Sequence, residues 1–422
     1  MKMKKYIYGL WIMLAAVIFA ACQDEIEQTG SNVKEGLPAK LKLSIKVPSA
    51  DKVVSSRGIY DYESEVKELA LIMFEQSGRK VFLDLTGKLT HKAYTQDGTE
   101  TDALTDTGGR IYTLSEDIEG DDLSGDYTLY AIANWSSPFC GLTTAELQAM
   151  SESELNSALA ANTNFVTQIT GDERLPMTYK SGEHTVAIKP LSEETEGTTL
   201  SISLRRITSH IIFEFKNGSG GTLNETNVKF VPTSYTVYNL PKNANLICKG
   251  NGQEGLNKLV NDDDKVYENS ASIVTTGTSL EFFMLENVQD KATKENMTYA
   301  DRDKWEGTGN KSFINAPSNA TYIVVKGEYS SDQYLGEVPY TIHLGNINGT
   351  SYSNSTAGNN NFTVNRNEKH TYTVTVKGVN SIITEAENDQ EDGGDQPGAE
   401  GTISAISERS NSCWMRTMKP LC

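Results

Sequence analysis

The sequence predicts an all-β protein, and three observations support this fold class. Leu41, Leu43, Ile45 and Val47 alternate with polar residues, which is the period-two pattern of a strand with one buried face. Other strand-length apolar runs recur along the chain, separated by segments rich in glycine and asparagine. Only one stretch, 143–160, has helical features. Regular short strands with turn signals predict sandwich-type architecture.

The predicted strands are short and follow one another at regular intervals. Pro48 ends the first, and the turn Gln76-Ser77-Gly78 closes the second. In chain order, the principal predicted strands are Leu41 to Val47, Val66 to Phe74, Val81 to Leu83, Asp126 to Asn134, Leu200 to Arg205, His210 to Phe215, Ser279 to Leu285, Ala320 to Lys326, Tyr340 to Leu344 and Tyr372 to Val376.

The helical stretch contains two capping boxes. Thr143 precedes Glu146 by three residues, and Ser151 precedes Glu154 by the same spacing. Leucine and methionine residues between 147 and 159 supply an apolar side. We therefore predict two short helices inserted in the first of two β domains.

Composition limits the function classes. The chain has 422 residues, a net charge of −18 and an isoelectric point near 4.8. The length suits two ordinary domains with tails, and the acidity disfavours a nucleic-acid binder, which needs a basic face. No cysteine lies in a CxxC arrangement, so the spacing indicates no zinc site. Cys140 and Cys248 could form a disulfide, but small buried or free thiols are the favoured interpretation.

Three parts of the chain mark changes in its organisation. Residues 23–38 are polar, the boundary between the two strand-rich regions falls between Lys189 and Leu200, and Glu385 to Gly401 is acidic and glycine-containing. The predicted segments are a signal peptide at 1–21, a tether at 22–38, β-sandwich domains at 39–196 and 197–380, and an acidic linker with a tail at 381–422.

The N-terminus has the features of a secretory signal. A basic start is followed by an apolar run from Tyr6 to Ile18 and by small residues before Cys22. A cysteine at the cut resembles the bacterial lipoprotein signal, in which it is acylated and becomes the mature N-terminus, although Phe19 stands where leucine is usual. The acidic residues at 24–27 resemble a surface-export signal of Bacteroidetes-type bacteria. The alternative is an ordinary signal peptide with a chance cysteine.

The order of several motifs resembles the Bacteroidales fimbrillins, the subunits of type V pili, and in particular their shorter-fimbria branch. The resemblance covers most of 39–386, and no single motif is diagnostic. The segments that carry it are Glu65 to Phe74, Tyr130 to Asn134, Leu175 to Met177, Leu204 to Ile207, Phe282 to Asn287, Ala320 to Gly327, Tyr340 to Gly345 and Phe362 to Asn367.

The resemblance implies two transthyretin-like β-sandwich domains and no enzymatic activity. It further implies a lipoprotein precursor at the outer membrane, an Arg-specific protease that removes the first strand, and polymerisation by strand exchange with other fimbrial subunits. Arg57-Gly58 lies in the polar stretch 49–62 and fits such a cleavage site, since proteases need an extended, accessible segment. The displaced strand would be the one that carries Leu41, Leu43, Ile45 and Val47. Alone, Arg57 would be an ordinary loop arginine.

The C-terminus departs from the family pattern. With a CGN codon for Arg416, and read from the last base of the Cys413 codon, the segment from Trp414 encodes Leu-Asp-Ala, two residues drawn from His, Tyr, Asn or Asp, and then Glu. Larger family members carry a similar segment after Pro-Gly-Ala-Glu-Gly, here Pro397 to Gly401. We therefore expect a frameshift within Thr402 to Cys413, and a donor strand could be missing; chance agreement is the alternative.

No other constellation indicates chemistry. The five histidines lack metal-ligand spacing, and no GxSxG or Walker loop occurs. The acidic clusters Asp262 to Asp264 and Glu119 to Asp122 lack the spacing of a calcium loop, which favours solvated loops. We predict no cofactor, no metal and no catalytic residue. The alternatives to a shaft subunit are a truncated tip adhesin or accessory subunit that binds a host receptor, and a surface glycan-binding lipoprotein; Trp135 and Trp305 are too isolated to favour the last.

Overall fold

The computed structural model describes the two strand-rich regions of the chain with gaps. The described residues are 33–47, 64–94, 100–101, 110–161, 174–182, 185–192, 197–221, 223–249, 267–268, 271–274, 279–292, 294–295, 297, 299–306, 312–345 and 360–390.

The N-terminal half forms two sheets. Its strands are β1 (Ala39–Val47), β2 (Leu69–Glu75), β3 (Lys80–Asp84), β4 (Leu89–Tyr94), β5 (Glu100–Thr101), β6 (Arg110–Leu114), β7 (Ile118–Gly120), β8 (Gly125–Ala133), β9 (Leu159–Ala161), β10 (Met177–Lys180), β11 (Val186–Ile188), β12 (Thr198–Ser203) and β13 (Arg205–Arg206). One sheet has the order β12-β1-β6-β4-β5, with β7 also paired to β1. The other has the order β13-β10-β8-β2-β3, with β11 also paired to β8.

These two sheets face each other across one apolar core. The inward side chains of β1 share a buried cluster with Leu69, Leu71 and Met73 of β2. The intervening side chains of β2, Ala70 and Ile72, are also buried but belong to a different cluster. Because β2 is covered on both faces, its sequence is continuously apolar rather than alternating.

The C-terminal half repeats this arrangement. Its strands are β14 (Thr208–Asn217), β15 (Lys229–Tyr238), β16 (Leu240–Pro241), β17 (Asn243–Asn245), β18 (Tyr267–Glu268), β19 (Ala271–Val274), β20 (Ser279–Leu285), β21 (Trp305–Glu306), β22 (Ser312–Phe313), β23 (Tyr322–Ser330), β24 (Leu335–His343), β25 (Glu368–Gly378) and β26 (Ser381–Gln390). The four-stranded sheets β20-β14-β25-β26 and β19-β15-β23-β24 enclose an aromatic-rich core. Within it, the Phe213 and Tyr372 rings stack with centroids 4.8 Å apart.

At the end of this second core, a buried carboxylate ties three segments together. Glu225 accepts hydrogen bonds from the Tyr329 hydroxyl at 2.7 Å, the Ser331 hydroxyl at 2.9 Å and the Val379 backbone N–H at 2.9 Å. Burial opposes the charge of Glu225, but these donors hold the pKa of its carboxyl below the ordinary value. The network fixes the loops at this end of the sheets.

Two of the described helices lie in the predicted stretch 143–160, and a third short helix was not predicted. The described helices are α1 (Thr144–Ala149), α2 (Glu152–Ser157) and the short α3 (Tyr299–Arg302). Both predicted capping boxes are formed: the Glu146 N–H donates to the Thr143 hydroxyl at 3.2 Å, and the Glu154 N–H donates to the Ser151 hydroxyl at 3.3 Å. The Lys80 ammonium donates to the carbonyls of Leu147 and Gln148 at the end of α1, which attaches the helix to β3.

A third apolar cluster joins the two halves. It contains Phe74 and Tyr130 from the first half, Leu147 and Leu155 from the helices, and Phe283 from the second half. Strand β17 also pairs with β9, so one short sheet crosses between the halves.

A buried ion pair lies beside this cluster. The Arg366 Nε donates to Glu286 at 2.9 Å, and its Nη1 donates to the Leu246 carbonyl at 3.3 Å. Burial opposes the Arg366 charge, yet Glu286 raises the pKa of the guanidinium. Because each charge is compensated by the other, the pair can remain away from water.

The predicted boundary at 196/197 falls too early. Strands β12 and β13 lie beyond it, yet β12 pairs with β1 and β13 pairs with β10, so the first pair of sheets extends to Arg206. Polar residues before Gly197 suggested a linker, but Leu200 and Ile202 pack into the first core. Local composition does not reveal which distant strand a segment will join.

The predicted acidic linker at 381–422 begins with a strand. Ser381–Gln390 forms β26, which pairs antiparallel with β25. The acidic composition did not prevent pairing, because the β25 backbone offers a row of hydrogen-bond partners whatever the side chains are. Similarly, the end of the predicted tether at 22–38 is hydrogen-bonded: the Leu37 N–H donates to the Ser124 hydroxyl at 2.8 Å. None of the described helices is long and apolar enough to cross a membrane.

Candidate functional site

Strand β1 lies in the interior of its sheet. It pairs parallel with β12 along one edge, where Leu43 is opposite Leu200 and Ile45 is opposite Ile202. Along the other edge it pairs antiparallel with β6, where Ile45 is opposite Tyr112, and with β7 near its start. Removing β1 would therefore leave two rows of backbone hydrogen-bonding groups without a partner.

The inward side of β1 is almost completely buried. The exposed fractions of Ala39, Leu41, Ile45 and Val47 are 0%, and that of Leu43 is 4%. All five belong to the core cluster shared by the two sheets. The structure thus brings together the four predicted displaced-strand residues in a single apolar row, with Ala39 as a fifth member.

The outward side of β1 is polar and carries a specific ion cluster. The Lys40 ammonium lies 3.2 Å from Asp117 and 3.2 Å from Glu119. Hydrogen bonds to Asp117 and then to Glu119 raise the pKa of Lys40. In the register, Lys40 is directly opposite Glu119 of β7. From the sequence, Glu119 is predicted only as part of a solvated acidic loop, because no local pattern links it to Lys40.

Backbone contacts fasten both ends of β1. The Leu191 N–H donates to the Pro38 carbonyl at 2.8 Å, and the Leu204 N–H donates to the Lys46 carbonyl at 2.9 Å. Gly197 is required at the first of these ends. Its φ is +114°, and a Cβ there would lie 2.7 Å from the Lys40 carbonyl oxygen, so only glycine permits this approach of β12 to β1.

The other predicted site residues are not among those described. The predicted lipidation residue Cys22 and the predicted processing site Arg57-Gly58 lie outside the described ranges. The described residues on either side of this site are Val47, at the end of β1, and Ser64, which is buried. The predicted cleavage site therefore lies in sequence between β1 and β2.

The remaining candidates have structural roles. Cys140 and Cys248 are not joined by a disulfide, which agrees with the favoured interpretation, and burial raises the pKa of Cys140 to about 12. His343 and His370 are each 1% exposed, and the His343 ring nitrogen lies 2.6 Å from Asp303. In the described part of the chain, no group of three metal-ligating side chains is positioned to hold an ion.

Comparisons with known proteins find only distant similarity in structure. No family model and no curated protein matches the chain. The tip fimbrial protein Mfa3 from Porphyromonas gingivalis, with a C-terminal truncation, is 14% identical; the match covers 83% of this chain and 99% of that chain, with a TM-score of 0.48. A candidate cell adhesion protein from Parabacteroides distasonis is 13% identical, with 84% and 99% covered and a TM-score of 0.49. A fimbrilin from Porphyromonas gingivalis is 11% identical, with 83% and 97% covered and a TM-score of 0.43.

Proposed function

We propose that this chain is the precursor of a surface pilus subunit that is exported as a lipoprotein, cut by an Arg-specific protease and assembled by strand exchange. One observation carries the proposal: β1 is an interior strand with an almost completely buried apolar row, and it is joined to the rest of the fold through the segment that contains Arg57. The order of fimbrillin-like motifs in the sequence supports the same function.

The burial of β1 means that its groove is more stable when filled by another strand than when empty. Four apolar side chains at roughly 1.5–3 kcal/mol each correspond to about 10 kcal/mol of gross burial. Without β1, Leu200, Ile202 and Tyr112 would lose their apolar cover, and the facing edges of β12 and β6 would lose their hydrogen-bond partners. A strand of another subunit can restore both the apolar cover and the backbone hydrogen bonds by pairing within the sheet.

Cleavage controls when this exchange is possible. While the chain is intact, β1 is an intramolecular occupant and has a high effective concentration in its own groove. After a cut at Arg57, β1 is held only by non-covalent contacts, and a competing strand can replace it. The proposed domains are residues 39–206 and 207–390, with the groove in the first.

The proposed lipid anchor would retain the precursor at the outer membrane until it is processed. Each buried methylene of an acyl chain contributes about 0.8 kcal/mol, so a multiply acylated Cys22 would hold the precursor there. Because Cys22 precedes β1, cleavage at Arg57 followed by displacement of β1 would also separate the subunit from its anchor. The proposed partners are thus the outer membrane before processing, the protease, and other fimbrial subunits afterwards.

Treating the purified precursor with an arginine-specific endoproteinase tests the processing step. We expect a new N-terminus at Gly58, and an Arg57→Lys chain, which keeps the charge, should resist the cut. A synthetic peptide of alternating apolar residues should then stabilise the cleaved chain by mass action, by about 2.7 kcal/mol at one hundred times its Kd. The intact precursor, with β1 in place, should show no such shift.

Two results would contradict the proposal. One is resistance of the 48–63 segment at every dose that leaves the rest of the chain intact. The other is equal stabilisation of cleaved and intact chains, since the peptide would then bind away from the groove. The anchor is tested separately: cells labelled with an alkyne fatty acid should label the wild type but not Cys22→Ala, and label on both would exclude acylation at Cys22.

A further inference from the structure

The groove around β1 has a charged wall as well as an apolar floor. Asp117 lies just before β7 and Glu119 within it, and both carboxylates reach the Lys40 ammonium at 3.2 Å. The side chain of Lys40 is 28% exposed, that of Asp117 36% and that of Glu119 65%, so the cluster is half in water at the rim of the groove. If β1 left, two acidic side chains would remain without this cation.

The register of β1 against its described neighbours places Lys40 opposite a carboxylate. The next outward residue of β1, Lys42, is opposite Thr199 of β12. Ser44 is opposite Thr113 and Ser201, and Lys46 is opposite Ile111 and Ser203. In the register of the described strands, only the position of Lys40 is opposite a carboxylate.

We propose that the groove selects an incoming strand that carries a cation at the position equivalent to Lys40, one residue after the first inward side chain. This inference rests on the proposed function and specifies its partner. The occupant is a strand of another polypeptide with small or branched apolar residues at alternating positions and a lysine or arginine beside Asp117 and Glu119. An acidic side chain at that position would face two carboxylates, and the repulsion would disfavour binding.

The same criterion disfavours one segment of this chain as the occupant. Strand β26 contains Glu385, Glu387 and Asp389 and no lysine or arginine. A second copy could therefore not restore the ion cluster with β26. The preferred occupant of the groove is therefore a strand with basic outward residues, as in β1 itself.

Competition between matched peptides tests this selection. One peptide has the sequence of residues 39–47, and the other differs only by Lys40→Glu. Each is fluorescently labelled and offered to the chain cleaved at Arg57, and Kd is measured by anisotropy. At low ionic strength we expect the lysine peptide to bind roughly tenfold more tightly. The preference should shrink at 1 M salt, where the Debye length is about 3 Å.

A variant chain locates the source of the preference. In the doubly substituted Asp117→Asn, Glu119→Gln chain, the two peptides should bind about equally, because no carboxylate remains to distinguish lysine from glutamate, while the inward core residues and the backbone pairing are unaltered. A preference that persists in this variant would overturn the inference. Equal binding to the unmodified cleaved chain would overturn it too, while leaving strand exchange intact. Failure of both peptides to bind the cleaved chain would overturn the proposed function itself, and the inference with it.

Discussion

Replacing Ile45 by alanine tests how strongly β1 is held in its groove. Ile45 is 0% exposed and lies at the middle of the inward row. Its cross-strand neighbours, Ile202 on one side and Tyr112 on the other, belong to the same core cluster. Truncation therefore removes contacts to both neighbouring strands and to the facing sheet at once.

The expected loss follows from burial and from the cavity. Removing about three methyl or methylene groups costs about 0.8 kcal/mol each, or roughly 2.4 kcal/mol. A residual cavity of roughly 60 Å³ adds about 1.4 kcal/mol at about 24 cal/mol per Å³. We expect the free energy of unfolding to fall by about 3–4 kcal/mol, since backbone pairing on both sides limits how far the groove can collapse.

Urea unfolding of the intact precursor, followed by circular dichroism, measures this loss. Lys46→Ala is the matched control: Lys46 is the adjacent residue of the same strand but points outward and is half-buried. It should change the free energy of unfolding by only about 0.5 kcal/mol. If Ile45→Ala cost less than about 1 kcal/mol, or no more than Lys46→Ala, the inward row would not be the source of the strand's stability and the argument for exchange would fail.

Three further predictions concern other parts of the fold. Glu225→Gln should lower the free energy of unfolding by about 1–3 kcal/mol, because a buried acceptor of three hydrogen bonds is replaced by a group that is also a donor. Since the folded-state pKa of Glu225 lies below the ordinary 4.5, this difference should be complete above pH 4.5 and should disappear as pH falls through the lowered value in an acid titration of stability. Lys80→Met should increase amide hydrogen exchange in α1 and α2, whereas Lys88→Met, at an exposed position, should not; equal protection in all three chains would show that the Lys80 contacts do not hold the helices. Iodoacetamide should modify half-buried Cys248 before Cys140, whose thiol is buried and has its pKa raised to about 12, and equal rates in the folded chain would contradict this packing.

Local patterns were sufficient for the elements whose cause is local. The alternation from Leu41 to Val47 predicts β1 and its inward row, since side chains alternate across a strand whatever it pairs with. The two capping boxes predict the starts of α1 and α2, because their hydrogen bonds join residues three positions apart. The continuous apolar run from Val66 to Phe74 predicts a strand, and the structure places β2 between the first core and the cluster that joins the halves.

Long-range pairing was decided only by the tertiary structure. The sequence contains β12 and β1 as separate apolar segments, but nothing within either shows that they are neighbours, so the predicted boundary separated them. The same holds for Lys40 with Asp117 and Glu119, whose charges are ordinary surface charges until the pairing of β1 with β7 brings them within 3.2 Å. Strand β26 was missed because its pairing depends on the free edge of β25 rather than on its own composition. The chain's sequence therefore determined which residues of β1 would be buried. The folded sheet determined what surrounds that strand, because contacts between distant segments depend on topology and not on local periodicity.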